Sequence, residues 1–300
     1  MELRNLYTFL QVAATQNFTK AAQILGYSQS NVSMHIQQLE AEVGMPLFDR
    51  IGRKVSLTQY GQELLPYAQQ IVAITTQMEN LLRSEQEIEG TIRLGIVESL
   101  FETAFQTAIT NYHRRFPKMK VELCVTGKAK LQEYLRDNQI DLACLIDEAL
   151  PEHVWNCWYM QDAPIVLISN TRHRLTEKPV VTWEDLAEED FVLMEGSASY
   201  SRKFYDMLVE HSLPVQPFLK LESASMACRL VEENNYLSVL PLYSVENSVE
   251  ARRVKILPLT DFSITEHIQL VLYKNKVVTP QIRGALEELR KAVQIVSRSC

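Results

Sequence analysis

NFTKAAQILGYSQSNVSMHIQQLEAEVGMPLFDRIGRKVSLTQYG, residues 17–61, is the stretch of this chain that decides its fold. Its second half contains apolar residues at intervals of three or four, which places them on one side of a helix: Val32, Ile36, Leu39 and Val43. Ser28 precedes this run, where a hydroxyl can accept a hydrogen bond from a free backbone N–H. Gly44 follows it, where a left-handed residue ends a helix. The pattern predicts a helix over residues 29–43.

The opposite side of this predicted helix carries mainly amides and hydroxyls and no full charge. Such groups both donate and accept hydrogen bonds, so they can match the edges of base pairs in the major groove of DNA. A helix exposed only to water would more often carry Glu and Lys. We therefore predict that the DNA-contacting residues of this segment are Ser28, Gln29, Ser30, Asn31, Ser33, Met34, His35 and Gln37. The alternative is a small helical bundle with a polar face, because similar patterns occur without DNA binding.

Two shorter amphipathic segments precede this helix, and a basic turn follows it. The segments, 3–14 and 19–25, supply the apolar residues of a predicted three-helix core: Leu3, Leu6, Phe9, Leu10, Ala13, Ala21, Ala22, Ile24 and Leu25. In such a core the third helix is placed to enter the major groove. The turn brings three cations within five residues, which would grip phosphates: Arg50, Arg53 and Lys54. The alternative for this cluster is a solvated turn.

The whole stretch resembles the winged helix-turn-helix of the LysR-type transcriptional regulators. The matching positions keep their register over about 45 residues: Ala21, Ala22, Leu25, Ser28, Gln29, Val32, Ser33, Ile36, Leu39, Glu40, Gly44, Leu47, Phe48, Arg50, Leu57, Thr58 and Gly61. The length of 300 residues also fits this family. The resemblance implies a regulator that binds double-stranded DNA, responds to a small-molecule effector and works as a homodimer or homotetramer.

The overall charge gives no simple signal for DNA binding. The chain has a net charge of −7, and residues 1–60 hold five Lys/Arg against four Asp/Glu, a balance of +1. A strongly basic domain, the usual electrostatic mark of DNA binding, is therefore absent. This balance predicts weak nonspecific binding and a strong dependence on specific, dimeric contacts.

Other functional classes are disfavoured by what the sequence does not contain. No apolar run approaches about 18 residues and the N-terminus has no export signal, so we expect a cytoplasmic protein without a membrane span. We find no nucleophile-elbow, dinucleotide, phosphate-loop or zinc-protease motif, so we expect no enzyme, no metal and no cofactor beyond the effector. The odd, scattered cysteines predict buried reduced thiols, with a redox switch as the alternative: Cys124, Cys144, Cys157, Cys228 and Cys300.

Residues 58–89 predict a long helix that pairs with another copy of itself. Apolar and small residues alternate at intervals of four and three in a heptad seam: Leu64, Ala68, Ile71, Thr75, Met78 and Leu82. One narrow stripe cannot be buried by one helix, so we predict dimerisation through these residues; the alternative is packing on the helix's own domain. Pro66 can bend this helix without ending it. In the resembled family this linker helix pairs in an antiparallel manner.

After residue 90 the sequence alternates between strands and helices. Predicted strands fall at 91–97, 121–125, 140–146, 164–169, 191–194, 218–221, 237–240 and 268–273. This alternation predicts a parallel sheet covered on both faces, in two α/β lobes. The resemblance implies that the lobes are like those of periplasmic binding proteins. The predicted domains are a winged helix-turn-helix at 1–60, a linker helix and hinge at 61–90, lobe I at 91–162 and 267–300, and lobe II at 163–266.

Ligands of open α/β sheets bind at the carboxyl ends of strands, often facing a helix N-terminus. The predicted effector residues at such positions are Glu98, Ser99, Leu100, Thr126, Gly127, Lys128, Asp147, Glu195, Gly196, Ser197 and Ser223. Carboxylates outnumber cations among them, so we hypothesise a neutral, zwitterionic or cationic effector. Two alternatives remain: a solute-binding protein with a helical accessory head, and a DNA-binding protein without an effector.

Overall fold

The computed structural model describes residues 1–51, 54–80, 84–195, 198–213 and 217–298. The chain forms two compact units, Met1–Ser84 with Asn275–Pro280, and Glu85–Lys274 with Gln281–Cys300. Among the described helices, none combines the length and the apolar character that a membrane crossing requires.

The first unit is a winged helix-turn-helix with a long following helix. Its elements are α1 (Leu3–Thr15), α2 (Phe18–Leu25), α3 (Gln29–Val43), β1 (Phe48–Ile51), β2 (Lys54–Leu57) and α4 (Gln59–Asn80). The predicted bounds of the third helix are confirmed. The Ser28 hydroxyl accepts a hydrogen bond from the Asn31 N–H at 3.2 Å, and Gly44 ends the helix with φ +80°. α4 continues through Pro66 without a break.

One core holds α1, α2 and α3 together. Its fully buried side chains include Phe9, Val12, Ala21, Val32, Ile36 and Leu39. Three positions that we predicted to be buried are instead exposed, Leu3 by 42%, Ile24 by 56% and Val43 by 40%. Ile24 lies at the flank of the stripe that α2 buries, and the other two stand at a helix end, where the apolar side of the helix extends beyond the core.

The turn between α3 and the wing is fixed by side chains of the matched motif. The Glu40 carboxylate accepts the Leu47 N–H at 2.8 Å and the Phe48 N–H at 3.3 Å. The Thr58 hydroxyl donates to the Pro46 carbonyl and accepts the Gly61 N–H at the start of α4. A Cβ at Gly61 would lie 2.2 Å from the Leu47 carbonyl oxygen, so only glycine allows α4 to approach this turn so closely.

The second unit is built on a curled mixed sheet with helices on its faces. Its strands are β3 (Gly90–Ile96), β4 (Met119–Val125), β5 (Leu142–Asp147), β6 (Trp155–Asn170), β7 (Val192–Met194), β8 (Leu219–Leu221), β9 (Ser238–Pro241), β10 (Val254–Ile256) and β11 (Ile264–Tyr273). Its helices are α5 (Glu98–Leu100), α6 (Gln106–Arg115), α7 (Lys128–Arg136), α8 (Ser199–Glu210), α9 (Ala224–Glu233), α10 (Leu242–Glu250) and α11 (Pro280–Arg298). A π-helical turn, Phe101–Phe105, joins α5 to α6.

The strand order of the large sheet is β10-β6-β11-β5-β3-β4, and β9 also pairs with β6. β3 runs parallel to β4 and β5, whereas β11 runs antiparallel to β5 and β6. The expectation of a purely parallel sheet is therefore wrong. The two long strands, β6 and β11, are neighbours in the sheet and point in opposite directions. They therefore pair in the antiparallel manner along most of their length.

Two hydrophobic cores lie along these long strands and form the two lobes. β6 contributes Trp155 to the first core, beside Leu131 and Leu145. The same strand contributes Ile165 to the second core, beside Phe204 and other side chains of the second lobe. One continuous strand thus takes part in both lobes.

The structure describes four of the five cysteines, of which Cys144 and Cys228 are buried and the other two half-buried. They are Cys124, Cys144, Cys157 and Cys228, and all are free thiols. Burial raises the pKa of the Cys144 thiol to about 12, and burial also raises the pKa of Cys157 and of Cys228. A raised pKa suppresses the reactive thiolate, which favours the predicted reduced thiols over a redox switch at Cys144, Cys157 and Cys228. Cys300 lies outside the described residues.

Candidate functional site

The polar side of α3 is open to solvent. Gln29, Ser30, Asn31 and Gln37 are exposed, Met34 is 46% exposed, and Ser33 is half-buried. Because Val32, Ile36 and Leu39 are fully buried on the other side, the helix cannot rotate to hide its amides and hydroxyls. These residues therefore form one continuous surface that can donate and accept hydrogen bonds.

His35 does not belong to this surface, which corrects its predicted role in base contact. Its side chain is buried, and its Nδ1 lies 3.0 Å from the hydroxyl oxygen of Thr8 in α1. The Thr8 hydroxyl donates its single proton to the Arg4 carbonyl at 2.8 Å, so the bond to His35 requires Nδ1–H as the donor. The ring of Tyr27 packs edge-on against the imidazole. His35 thus fastens α3 to α1.

The wing is a two-stranded antiparallel hairpin in which Phe48 pairs with Leu57 and Arg50 with Val55. Arg53 lies outside the described residues, as do the side chains of Arg50 and Lys54. Their predicted contact with phosphates stays a prediction.

A cavity of about 430 Å³ lies in the second unit, at the carboxyl ends of β3, β4 and β5 and beside the N-terminus of α9. Its lining residues are Val97, Glu98, Ser99, Val125, Thr126, Gly127, Lys128, Ile146, Met194, Ala198, Tyr200, Glu222, Ser223 and Ala224. Both lobes contribute to this lining. Such a volume suits a small organic molecule.

The structure brings together six of the predicted effector residues: Glu98, Ser99, Thr126, Gly127, Lys128 and Ser223. Leu100 is 1% exposed and does not line the cavity. Glu195 points to solvent outside the lining, and its N–H bonds to Leu221. Asp147 acts through Lys128 rather than from the lining. Gly196 and Ser197 lie outside the described residues.

Glu98 spans the cavity to the start of α9. Its Oε1 accepts the Ser223 hydroxyl at 2.6 Å and the Ser225 hydroxyl at 2.9 Å, and its Oε2 accepts the Ala224 N–H at 3.2 Å. A helix N-terminus carries partial positive charge, so this carboxylate is stabilised by both hydrogen bonds and the helix dipole. Glu98 therefore connects the two lobes.

Two further polar contacts border the cavity. The Ser99 hydroxyl lies 2.8 Å from the Tyr243 hydroxyl at the start of α10, which also joins the lobes. The Lys128 ammonium lies 2.5 Å from Asp147 Oδ1, and both side chains are largely buried. The one cation among the described lining residues is thus already paired.

Beyond Ser223, the residues by which the second lobe closes this cavity were missed by the sequence analysis. Met194, Ala198 and Tyr200 close it from that side. Burial, together with the negative charges of Glu98 and Glu266, raises the pKa of the Tyr200 phenol, so it stays protonated. Its position at the start of α8, opposite the ends of the first-lobe strands, was the only signal that could have identified it.

On α4, part of the predicted heptad seam packs inside the first unit and is not free to contact a second subunit. Leu64, Ala68 and Ile71 pack against the core of their own unit, as the alternative interpretation held. Leu82 lies outside the described residues. The exposed apolar stripe instead runs through Tyr60, Tyr67, Ile74 and Met78, which are 46%, 64%, 49% and 66% exposed.

Comparison with known proteins identifies both units. Residues 3–62 match the family model of the bacterial regulatory helix-turn-helix protein, lysR family, and residues 85–294 match the LysR substrate binding domain. The chain belongs to the LysR family of transcriptional regulators. It thus contains a helix-turn-helix DNA-binding domain and an effector-binding domain.

Related proteins align with this LysR-type regulator over nearly its whole length. The uncharacterized HTH-type transcriptional regulator YwqM of Bacillus subtilis is 29% identical, over 97% of this chain and 99% of that protein. The structure of full-length OxyR from Pseudomonas aeruginosa, with a Cys-to-Asp substitution, has a TM-score of 0.71 at 20% identity and covers 98% of this chain and 95% of that one. Full-length CbnR complexed with its target DNA has a TM-score of 0.53 at 20% identity, covering 97% and 100%.

The buried position of His35 gives a test of its role in this LysR-type regulator. We expect His35→Ala to lower the stability of the DNA-binding unit by roughly 1–3 kcal/mol, since it removes a packed ring and a buried hydrogen bond. The bases selected from a random DNA pool should stay the same. Thermal unfolding and sequence selection measure the two effects. The matched control is Gln37→Ala at an exposed position, which should change the selected bases and leave stability unchanged. A changed base preference together with unchanged stability for His35→Ala would contradict the assignment.

Proposed function

We propose that this LysR-type regulator recognises its operator through α3, and that a small molecule in the interlobe cavity modulates DNA binding or bending. The base-contacting residues would be Gln29, Ser30, Asn31, Ser33, Met34 and Gln37, with Ser28 at the helix start. The protein would act in the cytoplasm as a homodimer or homotetramer, without catalysing a reaction.

The observation that carries the DNA-binding part is the fixed orientation of α3. Its apolar side is fully buried and its polar side is exposed, and the buried Thr8–His35 contact fastens it further. A rigid helix with uncharged hydrogen-bonding groups is suited to direct contact with base edges. The complex of CbnR with its target DNA, a protein of the same fold, is consistent with this use of the domain. The sequence adds Arg50, Arg53 and Lys54 as predicted phosphate contacts.

The effector part of the proposal is supported by the cavity and the contacts across it. Glu98 and Ser99 each bond to a residue of the opposite lobe. A ligand that binds among these groups must change or reinforce those contacts, so it would favour one relative orientation of the lobes. This differential affinity is the condition for an allosteric response. We place the lobe boundaries near residues 162 and 267, where the long strands pass between the two cores.

The exposed stripe on α4 supports a dimer contact at a register different from the predicted one. Tyr60, Tyr67 and Ile74 repeat at intervals of seven residues, which keeps them on one side of a helix in a coiled-coil arrangement. We propose that this stripe, with Met78, pairs with the same stripe of a second subunit. Two helix-turn-helix domains could then bind one duplex about one helical turn apart, or a multiple of that distance.

Two substitutions separate base contact from phosphate contact. We expect Ser33→Ala to change which bases are selected, because it removes a hydroxyl from the exposed side of α3. Arg53→Ala should weaken binding about equally for all sequences and reduce the slope of log affinity against log salt by roughly one. Sequence selection from a random pool, followed by titrations at several salt concentrations, measures both.

Gln23→Ala, on the exposed side of α2, is the control for this pair and should leave selection unchanged. The contact assignment fails if both substitutions leave operator affinity and base preference as they are in the unmodified protein.

A charged residue introduced into the exposed stripe of α4 tests the proposed dimer contact. We expect Ile74→Glu to weaken self-association at least about tenfold, because burying one unpaired carboxylate per subunit is strongly unfavourable. Sedimentation velocity over a range of concentrations measures the shift. Gln62→Glu adds the same charge on another side of α4 and should associate normally; equal association of both variants would place the interface elsewhere.

A further inference from the structure

We infer that the interlobe cavity selects a ligand with a cationic group, an ammonium or guanidinium, because Glu98 already occupies the place where a ligand carboxylate would bind. This inference rests on the proposed role of the cavity as the effector site. It goes further by naming the chemical class of the ligand and the residue that determines it.

The place that Glu98 occupies is a favourable position for an anion in the cavity. Two hydroxyls and one backbone N–H converge there, from Ser223, Ser225 and Ala224. They stand at the first turn of α9, a helix of 10 residues, where the helix dipole attracts negative charge. A ligand carboxylate at this position would need the same three donors.

Displacing Glu98 from this position is unfavourable for two reasons. First, the segment that carries it is held in place, because Ser99 bonds to Tyr243 and the Leu100 side chain is buried. Second, a displaced Glu98 would remain within reach of the ligand carboxylate that replaced it. Two like charges in a partly buried site repel each other strongly. Glu98 therefore excludes small carboxylates from the three donors at the start of α9.

The remaining charges of the cavity favour a cation. Glu222, exposed at its rim, makes no ion pair with any residue that the structure describes. Lys128 offers little attraction for an anion because Asp147 neutralises it at 2.5 Å. The described lining residues thus hold two carboxylates, Glu98 and Glu222, against one ammonium that is already paired.

Glu98 itself can still bind a cationic group. A carboxylate offers about four lone-pair positions, and the three donors of α9 use three of them. The fourth position is on Oε2, which accepts only the Ala224 N–H. The apolar lining residues Val97, Val125, Ile146 and Met194 would contact the body of the ligand. The geometry thus fits a small amine or guanidine with an apolar body.

Acetate tests whether Glu98 fills an anion position. Glu98→Ala removes Cγ and the carboxylate group, which correspond to the methyl and carboxylate groups of acetate. Acetate should therefore bind to this variant and raise its melting temperature. Chloride at equal ionic strength is the reference salt. The unmodified protein and Glu102→Ala, an exposed glutamate on the following turn, should show no acetate-specific rise. The inference is wrong if Glu98→Ala shows no such rise, or if the unmodified protein shows an equal one.

Benzylamine and benzoate, which share a ring and differ in charge, test the selection directly. We expect the unmodified protein to bind benzylamine more tightly than benzoate in NMR titrations. In Glu98→Gln, which keeps the size of the side chain, this ratio should fall by roughly ten- to hundredfold, as expected for one lost charge-assisted contact. Glu102→Gln should keep the unmodified ratio.

The failures of the two proposals can be distinguished. Tighter binding of benzoate by the unmodified protein, or no binding of benzylamine up to tens of millimolar, overturns the cationic selection and leaves the effector role of the cavity standing. Operator affinity measured in the same samples tests that role. If amines bind with the expected dependence on Glu98 but leave operator affinity and DNA bending unchanged, the selection stands and the effector role fails.

Discussion

The packing of α3 against α1 is the constraint on which the DNA-binding unit depends. Val32, Ile36 and Leu39 are completely buried, so only one rotation of the helix about its own axis is compatible with the core. That rotation directs the amides and hydroxyls outward. The wing is then positioned by Glu40, which binds two backbone N–H groups of the following turn. The surface that we propose for DNA contact is therefore a consequence of apolar burial on the opposite side.

A comparable constraint shapes the cavity of the second unit. Glu98 accepts hydrogen bonds from three donors at the start of α9, so a charged contact joins the two lobes beside the cavity in which we propose that the effector binds. Lys128 and Asp147 neutralise each other nearby. The hydrogen bonds of Glu98 and the ion pair of Lys128 therefore determine which charged groups of the cavity remain free to bind a ligand.

Local patterns in the sequence predicted the fold and six of the residues that line the cavity, because helix periods, caps and strand ends depend on neighbouring residues. The errors involve distant partners. His35 looked like a base contact because Thr8, which holds its ring, lies 27 residues earlier. Leu64 and Ala68 looked like part of a dimer seam on α4, but they pack against the core of their own unit, which is formed by distant residues. Tyr200 was missed because the second lobe brings it to the cavity only through tertiary structure.

Photocrosslinking from α3 tests the central claim most directly. p-Benzoylphenylalanine would replace Met34, which is 46% exposed on the polar side, and the protein would be irradiated with DNA that it has selected from a random pool. The account predicts crosslinks to bases within the selected half-sites. The same group at Val209, 74% exposed in the second unit, should give no half-site crosslinks. Absence of base crosslinks from position 34 in a fully bound complex would contradict the account.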